Sequence, residues 1–142
     1  MEMKQIGIVG AGISGLVACK YMLSKGYDPI VFEARSRVGG VWIKNFETTT
    51  LQTTKPLYQF SDFPSQSSVT EDFPTQHQVF DHIQSYAQHF DLLKHIRFNT
   101  KVVGIEYDQV LSDEELWSWS STAMASPLAM INGNGRFPLK TL

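Results

Sequence analysis

A chain of 142 residues, 42% hydrophobic and 18% charged, holds enough material for one ordinary globular domain. Its formal charge of −2 supplies no basic surface for nucleic acid or an anionic membrane. The single cysteine, Cys19, excludes an internal disulfide framework and a cysteine-based metal site.

Residues 4–9 form an apolar run that ends in Gly10, the pattern of a strand buried on both faces. From Ser14 the apolar period becomes helical: Leu16, Cys19 and Leu23 share a face, with Val17 on its flank, and Gly26 supplies a positive-φ cap. The stretch 6–23 is apolar enough to resemble a membrane segment. Its four glycines, each costing about 0.8–1 kcal/mol in a helix relative to alanine, favour a strand, a turn and a helix instead. No signal peptide or transmembrane segment is expected, and a reducing, cytoplasmic setting is the simplest reading.

Asp28-Pro29 is expected to turn the chain into a second buried strand over residues 30–33. A strand, helix and strand in some thirty residues define a parallel pair. Residues 35–74 read as irregular, with turns at Asp62-Phe63-Pro64 and Asp72-Phe73-Pro74. Thr75 and Gln78 fit a capping box, followed by a helix with Val79, Ile83, Tyr86 and Phe90 on one stripe and Phe80 and Ala87 beside it. His77, His82 and His89 are expected to be exposed on that helix, with His95 after it; His82 and His89 share a face, but no acid or thiol completes a metal site. Residues 96–99 suggest a third strand. Residues 101–107 alternate, with Val103, Ile105 and Tyr107 on one covered face. Beyond Asp108 no period connects Trp117, Trp119, Met124 and Leu128, Gly133-Asn134-Gly135 reads as a turn, and the tail at 137–142 shows no closing element.

The chemistry lies in Gly10-Ala11-Gly12-Ile13-Ser14-Gly15, a G-x-G-x-x-G between a predicted strand and a predicted helix. Gly10 permits a tight turn, Gly12 close approach of a pyrophosphate, and Gly15 close packing of helix on strand. The free N–H groups of the helix start face the phosphates. Glu33, eighteen residues past Gly15 at the second strand's tip, is placed to accept from ribose hydroxyls, and its charge disfavours a 2′-phosphate. The site therefore suits FAD or NAD. Arg35-Ser36-Arg37-Val38-Gly39-Gly40 adds a glycine pair that lets the chain pass a bulky ligand, which favours FAD.

The segment Glu33-Ala34-Arg35-Ser36-Arg37-Val38-Gly39-Gly40-Val41-Trp42 resembles the FAD-contacting segment of flavin-containing monooxygenases, the plant members above all. Gln59-Phe60-Ser61-Asp62-Phe63-Pro64 resembles the family's aromatic-Asp-aromatic-Pro signature, and residues 85–98 resemble its helix-to-strand passage. The resemblance implies an α/β, Rossmann-type FAD/NAD(P)-binding fold with a parallel sheet, flanking helices and a small antiparallel β element. It further implies that Gly10, Ala11, Gly12, Ile13 and Ser14 hold the pyrophosphate, Glu33 the adenosine ribose, and Val41 and Trp42 the approach to the flavin, with Gly15, Arg35 and Gly40 also at the cofactor. Where the family carries Asn followed by Ser or Thr near the flavin ring, this chain carries Gln52-Thr53.

The implied activity uses NADPH and O₂ to oxygenate the nitrogen or sulfur of an amine or thioether, with no side chain acting as catalytic acid or nucleophile. A second G-x-G-x-x-G for NADPH is not found after residue 108. The expected organisation is therefore a partial FAD-binding domain at 1–108 and an unassigned tail at 109–142, inactive alone, with residues 4–9 left as an unpaired sheet edge. Two other readings remain: a non-catalytic nucleotide-binding module or pseudo-enzyme, and half of an NAD-dependent dehydrogenase.

Overall fold

The computed structural model describes residues 4–65, 69–105 and a strand at 139–141. The chain divides into two compact units, Met1–Lys101 with Thr141–Leu142, and Val102–Lys140. The first holds a parallel sheet of β1 (Gln5–Val9), β2 (Asp28–Phe32) and β3 (Ile96–Arg97), in the order β1-β2-β3. Helix α1 (Ile13–Ser24) connects β1 to β2, and α2 (Gln76–His89) precedes β3. A separate two-stranded sheet pairs β4 (Thr100–Val102) with β5 (Leu139–Thr141). This is the α/β architecture expected, with a strand at the tail where no closing element was foreseen.

The core is continuous across sheet and helices. Leu16 and Cys19 from α1, Val31 from β2, Val79, Ile83, Tyr86 and Ala87 from α2, and Leu92 and Ile96 around β3 are all buried in it. Both glycine-terminated expectations for α1 hold: the helix stops at Ser24, and Gly26 follows at φ +79°. The α2 capping box is complete, the Gln78 amide N–H donating to Thr75 Oγ1 at 3.4 Å and the Thr75 N–H to Gln78 Oε1 at 2.8 Å.

Four expectations are corrected. Strand β1 is not buried on both faces; it is the sheet edge among the described residues, and Val9 is 55% exposed. Asp28-Pro29 does not turn the chain but opens β2, paired with Gln5 and Ile6. Proline is tolerated there because N–H groups alternate along the strand. That of Asp28 points to β1 (onto Lys4 O) and that of Glu33 to β3 (onto Arg97 O), so position 29 faces the β3 side. There β3 reaches only Val31 and Phe32, and no ladder bond is lost. Val103 and Ile105, expected on a covered strand face, lie past the end of β4 at 56% and 67% exposure. His82 is buried rather than exposed: three residues after Val79 and four before Tyr86, it falls on the helix's apolar stripe. The Gly133-Asn134-Gly135 turn, the Trp117–Trp119 pair and Tyr107 lie outside the described residues.

Candidate dinucleotide cleft

The site grows from the end of β1. Gly10 turns the chain at φ +90° and its N–H donates to Phe32 O at 2.8 Å, which ties the turn to the tip of β2. Helix α1 then starts at once. Its N-cap is Gly12, and no side chain caps the first turn. Gly15 brings that helix onto the turn: a Cβ there would lie 1.9 Å from Gly10 O. No side chain larger than hydrogen fits at that distance.

The two glycine clusters, 24 residues apart in sequence at their nearest members, Gly15 and Gly39, interlock. The Gly39 N–H donates to Ala11 O at 3.0 Å, with Gly39 at φ +130° and Gly40 at φ +58°. A Cβ on Gly40 would stand 3.0 Å from Gly12 Cα, and one on Gly12 would stand 3.5 Å from Gly40 Cα. The bare face of Gly12 therefore meets backbone of its own chain, and Gly12 also lines the gap between the two loops.

Glu33 directly follows β2 and is 7% exposed. Its Oε2 accepts from the Ala11 N–H at 2.7 Å and its Oε1 from the Arg35 N–H at 2.8 Å. A carboxylate offers about four lone-pair sites, so two remain for hydroxyl donors after these bonds. Arg35 Nη1 in turn donates to Gly40 O at 2.8 Å, which ties the second loop together.

Between the loops lies a cleft of about 390 Å³, lined by Val9, Gly10, Gly12, Ile13, Ser14, Gly15, Gly39, Gly40, Val41, Trp42 and Tyr58. Pockets for small molecules and cofactors commonly span about 300–1,000 Å³. Of the residues singled out from sequence, the structure gathers Gly10, Gly12, Ile13, Ser14, Gly15, Gly40, Val41 and Trp42 at this cleft. Ala11, Glu33 and Arg35 sit behind it as its hydrogen-bonded frame. Gln52 and Thr53 are exposed and do not line it. Sequence reasoning missed Tyr58, whose only local signal was its place in an aromatic stretch just ahead of Phe60, and Gln76, whose amide reaches the Trp42 carbonyl. No cluster among the described residues could hold a metal ion, and no described helix is long and apolar enough to cross a membrane.

Parallel strands, a glycine turn feeding an uncapped helix and an acid at the next strand tip define a dinucleotide-binding α/β protein. The family follows from similarity. The profile of the flavin-binding monooxygenase-like family matches residues 3–124, and the chain belongs to that family. It is 43% identical over 105 residues to Probable flavin-containing monooxygenase 1 of Arabidopsis thaliana, covering 72% of this chain and 19% of that protein. It is 31% identical over 124 residues to Dimethylaniline monooxygenase [N-oxide-forming] 2 of Macaca mulatta, covering 80% and 23%. Among solved structures, a steroid monooxygenase bound to NADP shares 34% identity at a TM-score of 0.66, over 72% of this chain and 20% of that one. OTEMO in complex with FAD and NADP shares 25% at a TM-score of 0.63, over 74% and 20%. The chain thus spans about a fifth of the length of these relatives.

Proposed function

We propose that this chain carries the FAD-binding part of a monooxygenase that uses NADPH and O₂ to oxygenate an amine or thioether. The carrying observation is the cradle itself: interlocked glycine loops around an uncapped helix start, with the Glu33 carboxylate anchored behind them. FAD fits this donor set. The N–H groups at the start of α1 would take the pyrophosphate, assisted by the positive end of the helix dipole, and Glu33 would accept from the adenosine ribose. Val41 and Trp42 would border the flavin end. When bound, the flavin supplies the redox and oxygen chemistry, while the chain holds and orients it. The named activity of the macaque relative, N-oxide formation on an aniline, supports an amine among the substrates. On this reading residues 1–108 form the FAD-binding portion.

Calorimetric titration of the 142-residue chain with FAD and with NADH tests the proposal. FAD is expected to bind more tightly than NADH. Glu33→Ala, which removes the ribose acceptor and strands the Ala11 N–H, is expected to weaken FAD binding by roughly tenfold or more. A preference for NADH, or no FAD binding by folded protein, would refute it.

A further inference from the structure

The cleft is lined by two kinds of residue, the helix start at Gly12–Gly15 and two aromatic residues, Trp42 and Tyr58. Trp42 stands on the 3₁₀ turn Gly40–Ile43, immediately after the glycine pair that packs against Gly12. Its backbone is thereby set relative to the pyrophosphate loop. Its side chain is held by a residue from elsewhere: the indole Nε1–H donates to Tyr58 Oη at 3.0 Å, with the rings edge-on at 5.8 Å and 67°. The Trp42 carbonyl accepts from the Gln76 side-chain amide, and Gln76, buried at the start of α2, donates its own N–H to Thr49 O at 2.8 Å. Tyr58 is fixed in turn by its N–H bond to Lys55 O at 3.1 Å, and the Lys55 N–H donates to Asp72 O at 2.8 Å.

We infer that Tyr58 is a positioning residue for the cofactor: its hydroxyl locks the Trp42 indole as the end wall of the cleft, and so favours a dinucleotide that extends past the pyrophosphate over a nucleotide that stops there. The inference rests on the FAD reading above. An indole has one N–H to give, so losing Tyr58 Oη frees the ring to turn into the space it otherwise borders. Burial raises the Tyr58 pKa above the ordinary phenol value, partly offset by the Trp42 hydrogen bond. Among the described residues the Trp42 and Tyr58 side chains hydrogen-bond and meet edge-on with each other, and neither is bonded to Glu33 or to its partners Ala11 and Arg35, where adenosine would bind. Their effect therefore falls on the part of the ligand that ADP lacks.

The test compares FAD with ADP by calorimetry on the 142-residue chain and on Tyr58→Phe, which deletes one oxygen and keeps the ring. FAD affinity is expected to fall about three- to tenfold, the range for one lost internal hydrogen bond, while ADP affinity stays within about twofold. Trp42→Phe, which deletes the donor instead of the acceptor, is expected to show the same FAD-selective loss, and adding Tyr58→Phe to it should cost nothing further. It also serves as the second probe should Tyr58→Phe fail to fold. Equal losses for FAD and ADP would mark a general structural role and overturn the inference. So would unchanged FAD binding, which leaves the FAD reading standing. A wild-type chain that binds ADP and gains nothing from the flavin half overturns both together.

Discussion

Replacing His82 with phenylalanine is expected to stabilise this protein, and to do so more strongly in acid. His82 is only 9% exposed, and neither ring nitrogen has a hydrogen-bond partner among the described residues. A buried polar group left unsatisfied costs about 1–3 kcal/mol. The imidazole lies against Phe60 (centroids 5.3 Å apart, 32° between planes) and Phe63 (5.2 Å, 24°), a setting that suits a phenyl ring equally well. Adding volume to a core normally costs about 1–3 kcal/mol, but His82 borders a cavity of about 150 Å³, which takes up most of the extra ring atom. The net expectation is a gain of about 1–2 kcal/mol at neutral pH.

The pH dependence has a definite sign. Burial lowers the His82 pKa from 6.5, so the unfolded chain takes up a proton more readily than the folded one. The stability that depends on neutral His82 is whole above the unfolded pKa. It declines as the pH falls below that value and through the folded one, by at most about 1.4 kcal/mol per pH unit. Urea unfolding followed by circular dichroism at about pH 7.5 and 5.5 measures both effects. Wild type should lose on the order of 1 kcal/mol more than His82→Phe over that interval. A variant less stable than wild type at pH 7.5, or one with the same acid slope, would refute the reasoning.

Two further outcomes follow from the packing. Gly15→Ala should lose several kcal/mol, on the order of 3 or more, because its Cβ would meet a backbone oxygen at 1.9 Å that no side-chain movement can clear, whereas Gly12→Ala, with 3.5 Å of clearance and an ordinary φ of −81°, should fold within about 1 kcal/mol of wild type; thermal melts of the pair check the contrast, and equal losses would show the loop geometry to be wrong. Cys19 is fully buried and its thiol is pushed up to about 11 by burial, so alkylation at pH 8 should proceed only as fast as the protein opens, with one thiol appearing on denaturation; rapid labelling of native protein would place Cys19 elsewhere.

Local patterns carried much of this architecture. The Thr75–Gln78 box marked the start of α2 because its two hydrogen bonds close within four residues. Gly26 marked the end of α1 for the same local reason. The G-x-G-x-x-G with Glu33 was legible because its residues are tied to strand ends, and the fixed length of a β-α-β unit brings them together. The polarity of His82 points to solvent while its position lies on the apolar stripe, and only the Phe60 and Phe63 rings arriving from a distant turn reveal that its face is covered.

The amino-acid order by itself determined the first crossover, its helix stops and the acid beside the glycine turn, since each depends on conformational preferences or hydrogen bonds that span one turn or one β-α-β unit. Tertiary structure alone decided that Gly12 faces Gly40, that Pro29 can sit in the middle strand, and that Tyr58 holds Trp42. Those outcomes depend on which backbone or side chain arrives from a segment many residues away, and no local spacing encodes that arrival.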